Sequence, residues 1–586
     1  MNFPHIIAGH RVLLIIGIVL GLLGACAALA QPLFIGLLIR AVSEGEPITV
    51  PLTIIVILFA LDAALSAANA YLIGRAGENI VFDLRHLLVG RLLRSRISDF
   101  QRMETGDIFT RMVGDTTLAC MVITQAIAQL VSSAFMVVGG IAFMAWLDWQ
   151  LLVATLTCLG GASVVALLLA RQVRIASLAN RQHTSNFGSG LQRVLGALTT
   201  VKASRAESRE TERLAELAGT ARRSGIRVTA LGALLQPAMN VGTQISLAVV
   251  IAWGMARVAT GELHPADLTA FVMYLFYLVS PLVMLFLAVG QIQQGRAAIQ
   301  RVTELGEMPQ EEDRPASQEP RSPQYAPRSR AEANGSVHTT APAVTFDAVQ
   351  FSYNEQTPAL RDVSFSIPSR GLSAVVGPSG AGKTTLFQLI ERFYTPSRGT
   401  IRVAGEDIAT MDLHRLRGLV GYVEQDSPLL RGTIRDNLVY ARPDADEAQI
   451  SRVLRQANLA DVIDALPQGL DTELGERGAG LSGGQRQRLA IARTLLQEPE
   501  VILLDEPIAH VDSDTEAALR DAVAEAAQQC AVLTIAHRIS TVMEADQILV
   551  MQDGRLRATG THASLMETDE IYRRLAEGQL QTAAVT

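Results

Sequence analysis

The sequence predicts two architectures in series: a membrane all-α domain of six transmembrane helices, followed by an α/β domain. Long, nearly uncharged apolar runs fill the first 300 residues and then stop. From Ala343 onward, short β-rich runs alternate with helical stretches, the pattern of an α/β domain. Between them, residues 306–343 are dominated by Glu, Pro, Ser, Arg and Asn without periodicity, which reads as a linker. The expected division is therefore 1–305, 306–343 and 344–580. A chain of 586 residues is too long for one ordinary core, and 49% hydrophobic against 18% charged residues argues against a disordered or wholly soluble protein.

Six apolar runs span residues 12–39, 50–73, 121–147, 151–170, 228–256 and 268–291. Each reaches the roughly 20 residues that a helix needs to cross about 30 Å of hydrocarbon. The first run imitates a cleaved signal, with Ala28-Leu29-Ala30 near a cleavage position, but it continues apolar through Pro32, Phe34 and Leu37 and reads as helix 1. Arginine sets the orientation. The segment between spans 2 and 3 holds Arg75, Arg85, Arg91, Arg94, Arg96, Arg102 and Arg111, and the segment between spans 4 and 5 is equally basic. The opposite connections are short and hold no Lys or Arg, so the positive-inside rule puts the long segments and both termini in the cytoplasm. Those long segments read as helices projecting from the bilayer. Val81, Leu84, Leu88 and Leu92 keep helical spacing, with reversals expected near Glu104-Thr105-Gly106-Asp107 and near residues 196–203.

The α/β half holds the chemistry. The strand-like run 372–376 feeds Gly377-Pro378-Ser379-Gly380-Ala381-Gly382-Lys383-Thr384-Thr385 and then an apolar helix start. This is a P-loop in its required strand–loop–helix setting. Its glycines let backbone N–H groups close on phosphate oxygens, Lys383 reaches the β- and γ-phosphates, and Thr384 binds Mg²⁺. Lys202 and Lys383 are the only lysines among 50 basic residues, and one of them falls where a point charge is wanted. A second apolar strand ends in Asp505-Glu506. Asp505 suits Mg²⁺ coordination, and Glu506 is placed to polarise an attacking water. Ser482-Gly483-Gly484-Gln485 opens another helix, a second anion site. Two phosphate cradles exceed the needs of one ATP, so the second serves a nucleotide held by another copy. That implies a dimer with ATP and Mg²⁺ at its interface.

Leu481-Ser482-Gly483-Gly484-Gln485 resembles the signature motif of ATP-binding cassette proteins. With the P-loop, Asp505-Glu506 and six spans, the whole chain resembles an exporter-type ABC half-transporter with fused transmembrane and nucleotide-binding domains. The resemblance implies that Tyr353 stacks on adenine, that Gln425 is the Q-loop glutamine near Mg²⁺, that His537 contacts the γ-phosphate, and that Asp512 is the D-loop aspartate. Residues 472–478 resemble the exporter X-loop, and Glu104–Asp107 and Thr199-Thr200-Val201-Lys202-Ala203 match the coupling turns. One departure stands out: Pro507-Ile508-Ala509-His510-Val511-Asp512 replaces the common Ala-Thr-Ser-Ala-Leu-Asp, keeping its length and removing no catalytic group.

The function expected is ATP-driven export of amphipathic or hydrophobic compounds (drug, lipid or peptide) across a bacterial cytoplasmic membrane, by alternating access in a homodimer or related heterodimer. The alternative is an exporter-fold importer of a siderophore-like compound. An ATP-gated channel or regulator is disfavoured by Glu506. A nucleic-acid partner is disfavoured by the formal charge of -7 and the six spans. Four cysteines, Cys26, Cys120, Cys158 and Cys530, show no metal-ligand spacing. For cargo, Asp62 inside span 2 is the candidate by default. Gln236, Asn240 and Gln244 form a polar stripe in span 5, and Met273, Tyr277 and Met284 in span 6 suit an adaptable apolar pocket.

Overall fold

The computed structural model describes residues 3–311, 341–354, 357–475, 478, 480–505, 513–536, 538 and 542–583. Most of the expected linker, residues 312–340, lies outside that set. The chain divides into two contact units, one of Met1–Ser95 with Met103–Met308, the other of Arg96–Arg102 with Pro309–Thr586.

Six long helical stretches build the first unit: Phe3–Glu44, Thr49–Leu92, Thr105–Leu147, Trp149–Gly196, Glu207–Gly232 continued by Leu235–Ala259, and Pro265–Gly306. All six contain a stretch long and apolar enough to cross a membrane. The second, at 44 residues, runs about 66 Å at 1.5 Å per residue, roughly twice the hydrocarbon thickness. Its continuation buries Ile80 together with Val81, Leu84 and Leu88 of the stripe read from the sequence, while Leu92 is partly buried, and Leu84 and Leu88 pack with Ile108, Val302 and Leu305.

Two polar devices shape these helices. Asp148 is the whole connection between the third and fourth. Its extended backbone ends one helix, and its carboxylate accepts the N–H groups of Gln150 and Leu151, each at 2.9 Å, to cap the next. Arg257 closes on the same carboxylate and on Glu262 at 3.1 Å, so the capping charge is paired. In the third stretch, π-helical turns at Arg111–Asp115 and Val122–Ala126 interrupt the α-helical ladder. The first ends on buried Asp115, which receives two hydrogen bonds of 2.6 Å from Arg301 of the sixth helix.

The first cytoplasmic reversal is displaced from its expected place. Residues 93–104 make the turn, and the short helix Ile97–Phe100 lies inside it. Glu104 is the last extended residue before the outgoing helix, and Thr105, Gly106 and Asp107 are already helical. The helix ends where Ser95 Oγ bonds back to the Leu92 carbonyl at 2.7 Å and Arg96 N–H turns to Pro309 O at 3.0 Å, a partner remote in sequence. Tyr394 adds a hydrogen bond to Gln101 at 3.2 Å. The second reversal falls near its expected place, with the short helix Leu198–Ala203 between breaks at Ala197 and 204–206.

In the second unit the strands are β1 (Val344–Asn354), β2 (Thr357–Ile367), β3 (Gly371–Val376), β4 (Arg398–Val403), β5 (Glu406–Asp407), β6 (Val420–Val423), β7 (Gly432–Thr433), β8 (Glu473–Leu474), β9 (Val501–Asp505), β10 (Ala531–Ile535), β11 (Gln547–Gln552) and β12 (Arg555–Gly560). One sheet has the order β12-β11-β3-β10-β9-β6, parallel from β11 to β6 with antiparallel β12 at its edge. β3, β9 and β10 read as continuous apolar runs because helices or the other sheet cover both their faces, as in buried parallel sheets. An antiparallel sheet β2-β1-β4-β5 packs beside it through Phe346, Phe351 and Phe365.

Candidate functional site: a phosphate cradle at the carboxyl edge of the parallel sheet

β3, β10, β9 and β6 are adjacent and parallel, so their carboxyl ends share one edge. Four sequence signals leave from that edge: the P-loop after Val376, Asp505 at the end of β9, Gln425 just past β6, and the segment after Ile535. Register aligns them, with Ile535 opposite both Val375 and Asp505, and Val423 opposite Leu504. Loops at such an edge are where open α/β sheets bind ligands.

The loop itself is shaped by backbone that only glycine tolerates. Gly382 has φ +95°, and a Cβ there would lie 2.7 Å from Ala359 O. At Gly377 a Cβ would lie 2.2 Å from Met551 O. Lys383, 7% exposed, opens the helix Lys383–Ile390, and its ammonium donates to the carbonyls of Gly377 at 2.8 Å and Pro378 at 3.1 Å. The charge is thus held across the loop beside Ser379, Gly380 and Ala381. Thr384 is exposed at the helix start, whereas Thr385 is buried and bonds to the Tyr353 hydroxyl at 3.1 Å. Tyr353 is half exposed, with its ring set edge-on to Phe351 and Tyr394 at 4.9 and 5.1 Å. These residues fit a nucleotide triphosphate: a Cβ-free cradle, a fixed ammonium and a helix N-terminus. Asp505, 6% exposed, and the Thr384 hydroxyl supply oxygen donors of the kind Mg²⁺ takes.

Ser482 caps the helix Gly483–Leu496 in a reciprocal box: its hydroxyl accepts from Gln485 N–H at 3.2 Å, and Gln485 Oε1 accepts from Ser482 N–H at 2.8 Å. An accepting hydroxyl keeps its own proton to donate outward, and the N–H groups of Gly483 and Gly484 open the helix beside it. Glu506, Asp512 and His537 lie outside the described residues, as do Ala509, His510 and, within the 472–478 motif, Glu476 and Arg477.

Sequence reasoning missed a buried polar chain behind this edge. The Tyr422 hydroxyl on β6 is driven up in pKa by burial and then by the nearby charge of Asp505. Glu391, 4% exposed, shares a cavity of about 200 Å³ with Tyr422, Arg417, Tyr440, Arg493 and Gln497. Burial pushes its carboxyl up to about 8, with Arg417 opposing. Arg417 forks onto Glu311 through two hydrogen bonds of 2.8 Å and lies over the Phe393 ring at 5.1 Å. Glu311 lies in the first part of the linker, so a line of polar groups runs from the linker to the acid at the sheet edge. A carboxyl whose pKa rises on folding takes up a proton as the domain folds. Stability is therefore full below about 4.5 and declines as pH rises towards 8. Thermal unfolding of wild type and Glu391→Gln at pH 5 and pH 8 should show a smaller midpoint drop in the variant. An identical drop in both would mean that Glu391 is not held protonated.

The fold and site define a P-loop ATPase joined to a bundle of six membrane-length helices. The family models described as ABC transporter transmembrane region and as ABC transporter match residues 14–282 and 360–509. The chain is 32% identical over 527 residues to an ATP-dependent lipid A-core flippase of Burkholderia thailandensis, covering 88% of this chain and 84% of that protein. It is 29% identical over 570 residues to a multidrug resistance ABC transporter ATP-binding and permease protein of Lactococcus lactis subsp. lactis, covering 97% and 93%. A solved bacterial Atm1-family ABC exporter with ATP bound superposes with a TM-score of 0.78 at 28% identity, over 96% of this chain and 97% of that one. The chain belongs to the ABC transporters, as an exporter-fold half-transporter whose ATP hydrolysis is coupled to transport.

Proposed function

We propose that two copies of this chain form an exporter in a bacterial cytoplasmic membrane that uses ATP to move amphipathic or hydrophobic compounds outward. The observation that carries this reading is the pair of anion cradles, at Lys383 and at Ser482, in one nucleotide-binding unit. In the dimer each P-loop faces the partner's Ser482-Gly483-Gly484-Gln485. The P-loop amides and Lys383 bind the β- and γ-phosphates, and Tyr353 stacks on adenine. Thr384, Gln425 and Asp505 are the residues to hold Mg²⁺, which offsets phosphate charge when bound. Glu506 takes the proton of the attacking water, His537 contacts the γ-phosphate, and Asp512 communicates across the interface. ATP binds the closed pair more tightly than the open one, and that difference drives the helices between inward- and outward-open arrangements.

Similarity to a lipid A-core flippase and a multidrug transporter supports a cargo with a large apolar body. The test is direction. In inside-out membrane vesicles containing the protein, a fluorescent amphipathic compound should accumulate inside on ATP addition, and Glu506→Gln should abolish the accumulation. ATP-dependent depletion from preloaded vesicles would instead establish import.

A further inference from the structure

Asp62 sits midway along the apolar part of the second long helix, where an uncompensated carboxylate is costly. Among the described residues it forms no ion pair, and its one hydrogen bond is a long one of 3.4 Å from Ser66, a turn away on the same helix. The arginines near the helix ends are matched elsewhere, Arg40 to Asp267 and Arg257 to Asp148 and Glu262. The Asp62 carboxylate lies against the first helix at Gly24, where a Cβ would stand 3.5 Å from Oδ1. Gly24 and Gln31 lie seven residues, two turns, apart on one face of that first helix, and at Gln31 stands the Tyr277 hydroxyl of the sixth helix.

That hydroxyl donates to Gln31 Oε1 at 2.6 Å, and Gln31 is 1% exposed with its Nε2 buried and unpartnered among the described residues. Two turns along from Asp62, Asn69 Oδ1 is likewise buried without a partner among them. Buried polar atoms left unmatched cost free energy, and these two stand on the first and second helices, where packing alone does not account for them. On the Tyr277 face of the sixth helix stand Met273 and Met284, neither fully buried, whose flexible thioethers adapt to a bulky apolar body.

We propose that Asp62, Gln31 and Tyr277 form a cargo subsite for a lipophilic monocation, with Asp62 as counter-ion and the Met273–Tyr277–Met284 face as the wall for its apolar part. This deepens the export reading and rests on it only for the direction of movement. The probe is tetraphenylphosphonium, with triphenylphosphine oxide as a neutral compound bearing the same kind of rings. The full-length transporter in lipid nanodiscs is used without nucleotide for binding, and with ATP for stimulation of hydrolysis above each variant's own basal rate. For the cation, Asp62→Asn should raise the half-maximal concentration at least about tenfold, and Asp62→Glu should stay within about threefold of wild type, as loss of a close charge partner predicts. Neither substitution should move the response to the phosphine oxide.

A second measurement uses only the wild-type protein. Tetraphenylphosphonium should protect Asp62 from modification by dicyclohexylcarbodiimide, read by mass spectrometry, and the phosphine oxide should not. The proposal is overturned if the Asn variant responds to the cation as wild type does, if both probes protect equally, or if the cation neither binds nor protects. Cation binding without ATP-dependent transport in vesicles would leave the subsite standing and remove the export reading; transport of neutral compounds without cation binding would do the reverse.

Discussion

Glu506→Gln should lower ATP hydrolysis by about 10²–10⁴-fold while leaving ATP binding intact, the range a lost general base commonly costs. Asp505 is fixed by burial at the end of β9, on the carboxyl edge shared with the P-loop strand β3, and Glu506 is the next residue in the sequence. Glutamine keeps the shape of that side chain and cannot take a proton. The cradle that binds the phosphates uses other residues, so nucleotide still enters. Because the proposed dimer takes its second anion site from the partner copy, arrested hydrolysis should also trap ATP-bound dimers of the cytoplasmic units, visible as cross-linking between copies that requires ATP. Hydrolysis within tenfold of wild type would place the base elsewhere and reopen the gated-channel reading.

Lys383→Arg should weaken ATP binding by about 10- to 100-fold, although the charge is kept. Loss of one hydrogen bond to a charged group costs about 1.5–3 kcal/mol, which corresponds to that range. The Lys383 stem is buried and its ammonium is aimed between two loop carbonyls. A planar guanidinium is wider, cannot rotate its donors about a single nitrogen, and would push against the Gly377 and Pro378 carbonyls. The only other lysine provides the control. Lys202 has 66% of its side chain exposed and faces Glu207 at 3.4 Å, so Lys202→Arg should leave nucleotide affinity unchanged. Equal behaviour of the two variants, measured by titration with a fluorescent ATP analogue, would mean that the loop does not discriminate between the two cations.

The legible parts of the site were those written contiguously. A P-loop, Asp505 closing an apolar strand and a capping box each lie within a few residues, so local geometry follows from local sequence. Two apolar periods, one long enough for a bilayer and one short enough for strands, were likewise sufficient for the order of the two halves. The position of the first cytoplasmic reversal was not legible, because Arg96 and Gln101 are held by Pro309 and Tyr394, more than 200 residues away.

The remaining finds likewise join separate elements of the chain. Residue type and spacing alone determined that this chain unites six membrane-length helices with a nucleotide cassette, and where the P-loop lies between its strand and its helix. Only the tertiary structure decided that Glu391 shares its cavity with Arg417 and Tyr422, or that Tyr277 of the sixth helix reaches Gln31 of the first while Asp62 packs at Gly24, two turns away. The cost of burying a polar group depends on neighbours brought from other helices and strands, and no period or motif in one segment records who those neighbours are.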